Sequence, residues 1–180
     1  ALPLAWHLAV ERRPVRVSKP EGAGLIAGLA TGVAIAAVIV GAYELLGRRW
    51  IDAETVRQAA GERGFDDAGL YVSFAVYISL INALLEEYVW RWFVFRQCER
   101  LVRPAAAAVL AAALFTIHHV FALTVYFDWP ITVLCSAGVF VGGATWSWLY
   151  LRYRNVWSPW VSHLIVDVAV FWIGWRLIFG

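Results

Sequence analysis

Five stretches of this chain, at 22–46, 68–95, 104–127, 131–151 and 157–175, are apolar almost without interruption. Runs of that length match the hydrocarbon thickness of a bilayer when helical, and a helix satisfies its own backbone polar groups there. The fold class expected is therefore all-α: a polytopic transmembrane helix bundle of about five spans. Composition agrees, since 62% of the 180 residues are hydrophobic and 16% charged, with a mean hydropathy of +0.67. The connectors are too short to build a second core, so residues 1–180 are expected to form a single integral membrane domain.

The segments outside the five runs read as interfacial. Residues 1–21 open with an apolar decamer too short to span, followed by a basic stretch, the reverse of a signal-peptide order. Residues 50–65 mix Trp50, Ile51, Val56 and Phe65 with Asp52, Glu54, Arg57, Glu62 and Arg63, which suits a short helix in the interface that ends near Gly61 or Gly64. Gly24, Gly28 and Gly32 form a GxxxGxxxG ridge on the first span, for packing inside the monomer or in a dimer. Ser158 is the expected N-cap of the fifth span, with Pro159 in its first turn. Trp50, Trp129, Trp157 and Trp175 fall at span ends, as an aromatic belt requires.

Arg12, Arg13, Arg16 and Lys19 precede the first span, Arg96, Arg100 and Arg103 the third, and Arg152 and Arg154 the fifth. Under five-span alternation these clusters share one side, which predicts a cytoplasmic N terminus and an external C terminus, in a bacterial inner membrane. A net charge of +2 gives no reason to expect nucleic acid as a partner; the lipid bilayer is the expected environment. Cys98 and Cys135 have neither disulfide-framework nor metal-ligand spacing.

Against this apolar background a few ionisable residues lie at bilayer depth, where they are costly and mark functional sites. On the second span Glu87 and Arg91 stand four residues apart and can pair, whereas Glu86 projects to another side as a surplus carboxylate, suited to a general base. On the fifth, His163 and Asp167 share one face, with Asp167 placed to orient the imidazole. On the third, Phe115 and His119 share a face, and His118 points about 100° away. Measured along straight helices, His119 lies deeper than Glu86 and His163 by several ångströms.

These residues read as three motifs: EExxxR at Glu86, Glu87 and Arg91, FxxxH at Phe115 and His119, and HxxxN/D at His163 and Asp167. Over roughly residues 70–170 the chain resembles the CPBP family of intramembrane proteases, which includes type II CaaX prenyl endopeptidases and bacteriocin-processing or immunity-type relatives. The resemblance implies a glutamate-dependent peptidase acting on a membrane-associated protein or peptide, without a resident cofactor. Glu86 with His119 would activate water, and His163 with Asp167 would hold the oxyanion. The family often has Asn where this chain has Asp167. An ionised Asp cannot donate a hydrogen bond, so its role here is to orient or charge His163.

Three other readings remain open from sequence. The Glu, His and Asp residues suit a divalent-metal site, although no HExxH occurs. His118 or His119 with His163 could serve as haem ligands. A non-catalytic membrane scaffold or immunity protein is also compatible with the resemblance. Oligomeric state is not encoded in any feature noted here.

Overall fold

A computed structural model describes residues 2–10, 12, 18–125 and 127–180, apart from the side chains of Leu2, Leu4, His7 and Trp50. The expectations for Arg13, Arg16 and the Trp50 indole lie outside these. Among the described residues the helices are, in chain order, α1 (Leu2–Ala9), α2 (Gly22–Gly47), α3 (Ala53–Gly61), α4 (Ala68–Cys98), α5 (Pro104–Leu123), α6 (Trp129–Tyr153) and α7 (Trp157–Phe179). No strand occurs among the described residues. Helices α2, α4, α5, α6 and α7 are each long and apolar enough to cross a membrane.

The burial pattern is inverted relative to a soluble domain. Glu87 and Arg91 are among the least exposed residues, while Ile26, Val38, Leu45 and Leu134 present their side chains outward. Such a molecule keeps its polar groups in the interior and its aliphatic surface in lipid, as an integral membrane protein does.

Helix α7 is the central element, packed on α2 and against α6, while α5 lies along α6. Small residues make these approaches possible. Ala107, Ala108, Ala111 and Ala112 of α5 are buried, and Ala112 with Phe115 meets Gly143 of α6. The glycine ridge of α2 serves packing within the chain: Gly24, Gly28 and Gly32 are buried against Ser158 and Ser162 of α7. A Cβ on Gly28 would lie 2.2 Å from the Ser158 carbonyl oxygen, a backbone atom that cannot turn aside. Gly28→Ala is therefore expected to destabilise the bundle by about 2–3 kcal/mol through overpacking, read as a lower thermal midpoint in detergent. Gly41→Ala, whose Cβ meets nothing within 4 Å, should leave that midpoint unchanged.

Helix α3 sits where expected but is more than a connector. Asp52 caps it, accepting from the Glu54 N–H, and the Thr55 hydroxyl beside it holds the Asp52 carboxyl below its usual range. Arg57 then donates to the Ile178 carbonyl at 3.1 Å, satisfying a C-terminal orphan of α7. Glu44 of α2 pairs with Arg176, tying the same ends together.

One local expectation needs correction. Ser158 is not the N-cap of α7. The Asn155 side-chain oxygen accepts from both the Ser158 N–H and its hydroxyl, each at 2.9 Å, so the capping acceptor comes from the preceding turn. Trp157 does stand at a span end, as the first residue of α7, and its indole donates to the Ser18 carbonyl at 2.6 Å.

Helix α4 is not uniformly α-helical. Ile78–Asn82 and Tyr88–Phe95 are π-helical around an α-helical Ala83–Glu87. In an α-helix, four residues overshoot a full turn by about 40°, whereas the wider π turn undershoots it. Alternating the two keeps Ser79, Ala83, Glu87, Arg91 and Phe95 in one buried row, and this row carries the charged pair into the bundle.

Candidate active site

The Glu87 and Arg91 side chains are 0% and 1% exposed, and Nε of Arg91 lies 3.1 Å from Oε2 of Glu87. The approach is off the N–H direction, so it acts as a charge contact rather than a directed hydrogen bond. The guanidinium carbon also sits 4.7 Å from the Phe115 ring centroid and 5.3 Å from that of Trp146. Two aromatic faces thus contribute to compensating a buried cation. Nη2 reaches the Gly143 carbonyl at 3.4 Å.

Glu87 has a second partner. Its Oε1 lies 2.8 Å from Nδ1 of His163, and because Glu87 is held as an anion by Arg91, Nδ1 is the donor. Asp167, expected to orient or charge this ring, has its Oδ1 3.7 Å from Nε2, beyond direct hydrogen bonding, so it does not orient the imidazole through a direct bond. The i, i+4 spacing does put Asp167 and His163 on one side of α7. The imidazole, however, is pinned from α4 rather than from its own helix, because Glu87 reaches the nitrogen that faces away from Asp167.

Nε2 consequently points between two carboxylates, Asp167 at 3.7 Å and Glu86 Oε2 at 3.8 Å. Both acids are partly open, at 19% and 18% exposure, against 0% for Glu87. Glu86 thus differs from Glu87 as the sequence suggests: one is sealed in an ion pair, the other is partly open. Asn82 donates to Glu86 Oε1 at 3.0 Å and fixes the carboxylate in place.

His119 and His118 separate clearly. His118 is exposed and His119 half-buried. The Nδ1 atom of His119 meets the Phe115 carbonyl at 3.0 Å, leaving Nε2 for other contacts. Its ring lies 4.2 Å from Phe115, whose ring is 6.3 Å from His163.

Sequence reasoning missed four participants: Trp146, Ser162, Thr31 and Asn82. Trp146 stacks on the His163 ring at 3.8 Å and 18°, and its indole donates to the Ser162 hydroxyl at 3.1 Å. Thr31 of α2 donates to the same hydroxyl at 3.2 Å. Asn82 was visible in principle, four residues before Glu86. Nothing in the sequence pairs Trp146 with a ring on another helix. Among the described residues, no three His, Cys, Asp or Glu side chains are disposed as a metal-ligand set.

Chemically, the site offers an anchored carboxylate, a half-buried imidazole, and a second imidazole held by its neighbours with one nitrogen set between two partly open carboxylates. A family model described as Type II CAAX prenyl endopeptidase Rce1-like matches residues 68–169, the span from the start of α4 to the middle of α7. No curated protein and no solved structure matches the chain significantly.

Proposed function

Since the chain belongs to the Rce1-like type II CAAX prenyl endopeptidase family, a family of membrane proteases, we propose that it is a glutamate-dependent intramembrane endopeptidase. Its substrate is a membrane-associated protein or peptide cut near its C-terminal segment. The observation that carries this reading is the contrast between two adjacent carboxylates: Glu87 is sealed by Arg91 and His163, while Glu86 is held by Asn82 and partly open.

In this reaction Glu86, assisted by His119, takes a proton from water as the water oxygen bonds to the scissile carbonyl carbon. The carbonyl oxygen becomes an oxyanion beside His163, whose Nε2–H donates to it. As the tetrahedral species collapses, the C–N bond breaks and the proton passes to the leaving amine. Glu87 fixes the tautomer and tilt of His163, and Asp167 adds negative charge near a ring that must carry a proton on both nitrogens. No resident cofactor enters this scheme. The basic segment ends support a cytoplasmic N terminus and an external C terminus.

The test is cleavage of prenylated C-terminal peptides, unprenylated C-terminal peptides and leader peptides by purified protein in nanodiscs, with and without a chelator. Cleavage that persists in chelator supports the glutamate mechanism; loss that a divalent ion restores would replace it with a metal-dependent one. His119→Ala should lower kcat about 100-fold, the lower range for a lost acid–base partner, whereas the exposed His118→Ala should stay within twofold. The reverse order would move the assisting imidazole to His118.

A further inference from the structure

Where α4 and α6 end, on the side of the bundle carrying Arg100 and Arg103, a cavity of about 320 Å³ is lined by Ser18, Trp92, Arg96, Tyr150 and Arg154. Its charges are not balanced internally. Arg154 forks onto Glu99, with Nη1 and Nη2 at 2.7 and 2.8 Å from the two carboxylate oxygens, which neutralises that guanidinium. Arg96 has no such partner: among the described residues it makes no hydrogen bond or ion pair, and its guanidinium carbon stands 5.9 Å from the Trp92 ring. The Tyr150 hydroxyl also lacks a hydrogen-bond partner among the described residues, although only 5% of the residue is exposed. A guanidinium and a phenol with donors to spare therefore line the same cavity as a neutralised Arg–Glu pair.

We propose that this cavity binds the phosphate headgroup of an anionic phospholipid. A phosphate diester supplies a negative charge and several acceptor oxygens, the chemistry a guanidinium fork and a phenol recognise. The volume is at the lower end of the range for small-ligand sites. Its position argues for a lipid as the source of the phosphate. The cavity lies at the ends of two spans, the level of headgroups, with the amphipathic rings of Trp92 and Tyr150 on its wall. Basic pockets between spans on the positive side of a membrane protein are suited to anionic headgroups. Leu101, in the turn after α4, is 78% exposed and offers apolar surface to an acyl chain. This inference does not depend on the peptidase reading.

The experiment is native mass spectrometry of the purified protein titrated with phosphatidylglycerol or phosphatidylcholine, on the wild type, Arg96→Ala, Arg96→Gln, Tyr150→Phe and Arg103→Ala. Arg103 is exposed and lies outside the cavity, so its loss removes the same charge without touching the site. The wild type should prefer phosphatidylglycerol at least tenfold. Arg96→Ala and Arg96→Gln should each erase most of that preference and Tyr150→Phe part of it, while Arg103→Ala changes it less than twofold. Arg96→Gln keeps a polar side chain against Trp92, so agreement between the two Arg96 variants, with unchanged thermal midpoints, separates binding from misfolding. Equal losses at Arg96 and Arg103 would mean diffuse surface attraction and overturn the site. Displacement of phosphatidylglycerol by low-millimolar inorganic phosphate would assign the cavity to a soluble phosphate and overturn the lipid.

Discussion

Glu86→Gln should lower kcat for peptide cleavage by about 10³-fold, within the range for removal of a positioned general base, while leaving the thermal midpoint in detergent unchanged. The substitution keeps shape and hydrogen bonding: a Gln carbonyl can still accept from Asn82, which donates to Glu86 Oε1 at 3.0 Å. It removes only the capacity to take a proton. The carboxylate is 18% exposed and outside the Glu87–Arg91 pair, so no buried charge is stranded. The comparison that decides the assignment is Asp167→Asn, because Asp167 stands at 3.7 Å from the same His163 nitrogen. That variant restores the residue often found in the family pattern and should retain most activity. A Glu86→Gln enzyme within tenfold of the wild type, beside an inactive Asp167→Asn enzyme, would transfer the base to Asp167.

The spans were legible because the bilayer imposes a simple rule: a long apolar run must be a helix. The fifth span begins at Trp157 as expected, but its capping acceptor is the Asn155 side chain rather than Ser158. The Glu87–Arg91 contact followed from i, i+4 spacing, which π-helical turns perturb but do not destroy. What spacing cannot supply is contact between helices. The hydrogen bond from His163 to Glu87 spans 76 residues, and local periodicity favoured Asp167 because it is four residues away. The same limit hid Trp146. Its stacking on His163 depends on how closely α6 approaches α7, where the indole donates to the Ser162 hydroxyl, and not on any pattern within Trp146's own helix.

Arg91→Ala should remove most folded protein, because it attacks a buried charge arrangement rather than a catalytic step. Glu87 is 0% exposed and would be left with the His163 imidazole alone, and truncation also opens a void between the Phe115 and Trp146 rings that flank the guanidinium. Breaking a buried pair by removing one partner costs about 3–5 kcal/mol, a large part of the stability of a small domain. Replacing both charges, as Glu87→Gln with Arg91→Met, should recover much of that loss, since a neutral, volume-filling pair needs no desolvation. Activity should not return with it. A neutral amide can still accept from Nδ1 of His163, but it no longer complements a charged ring, and the donor at Nε2 is weakened where the oxyanion forms. The measurement is thermal unfolding of the single and double variants in the same detergent, alongside cleavage by the fraction that elutes folded. A double variant as unstable as Arg91→Ala would show that the loss comes from the packing void instead. A stable double variant with wild-type turnover would remove Glu87 from the chemistry altogether.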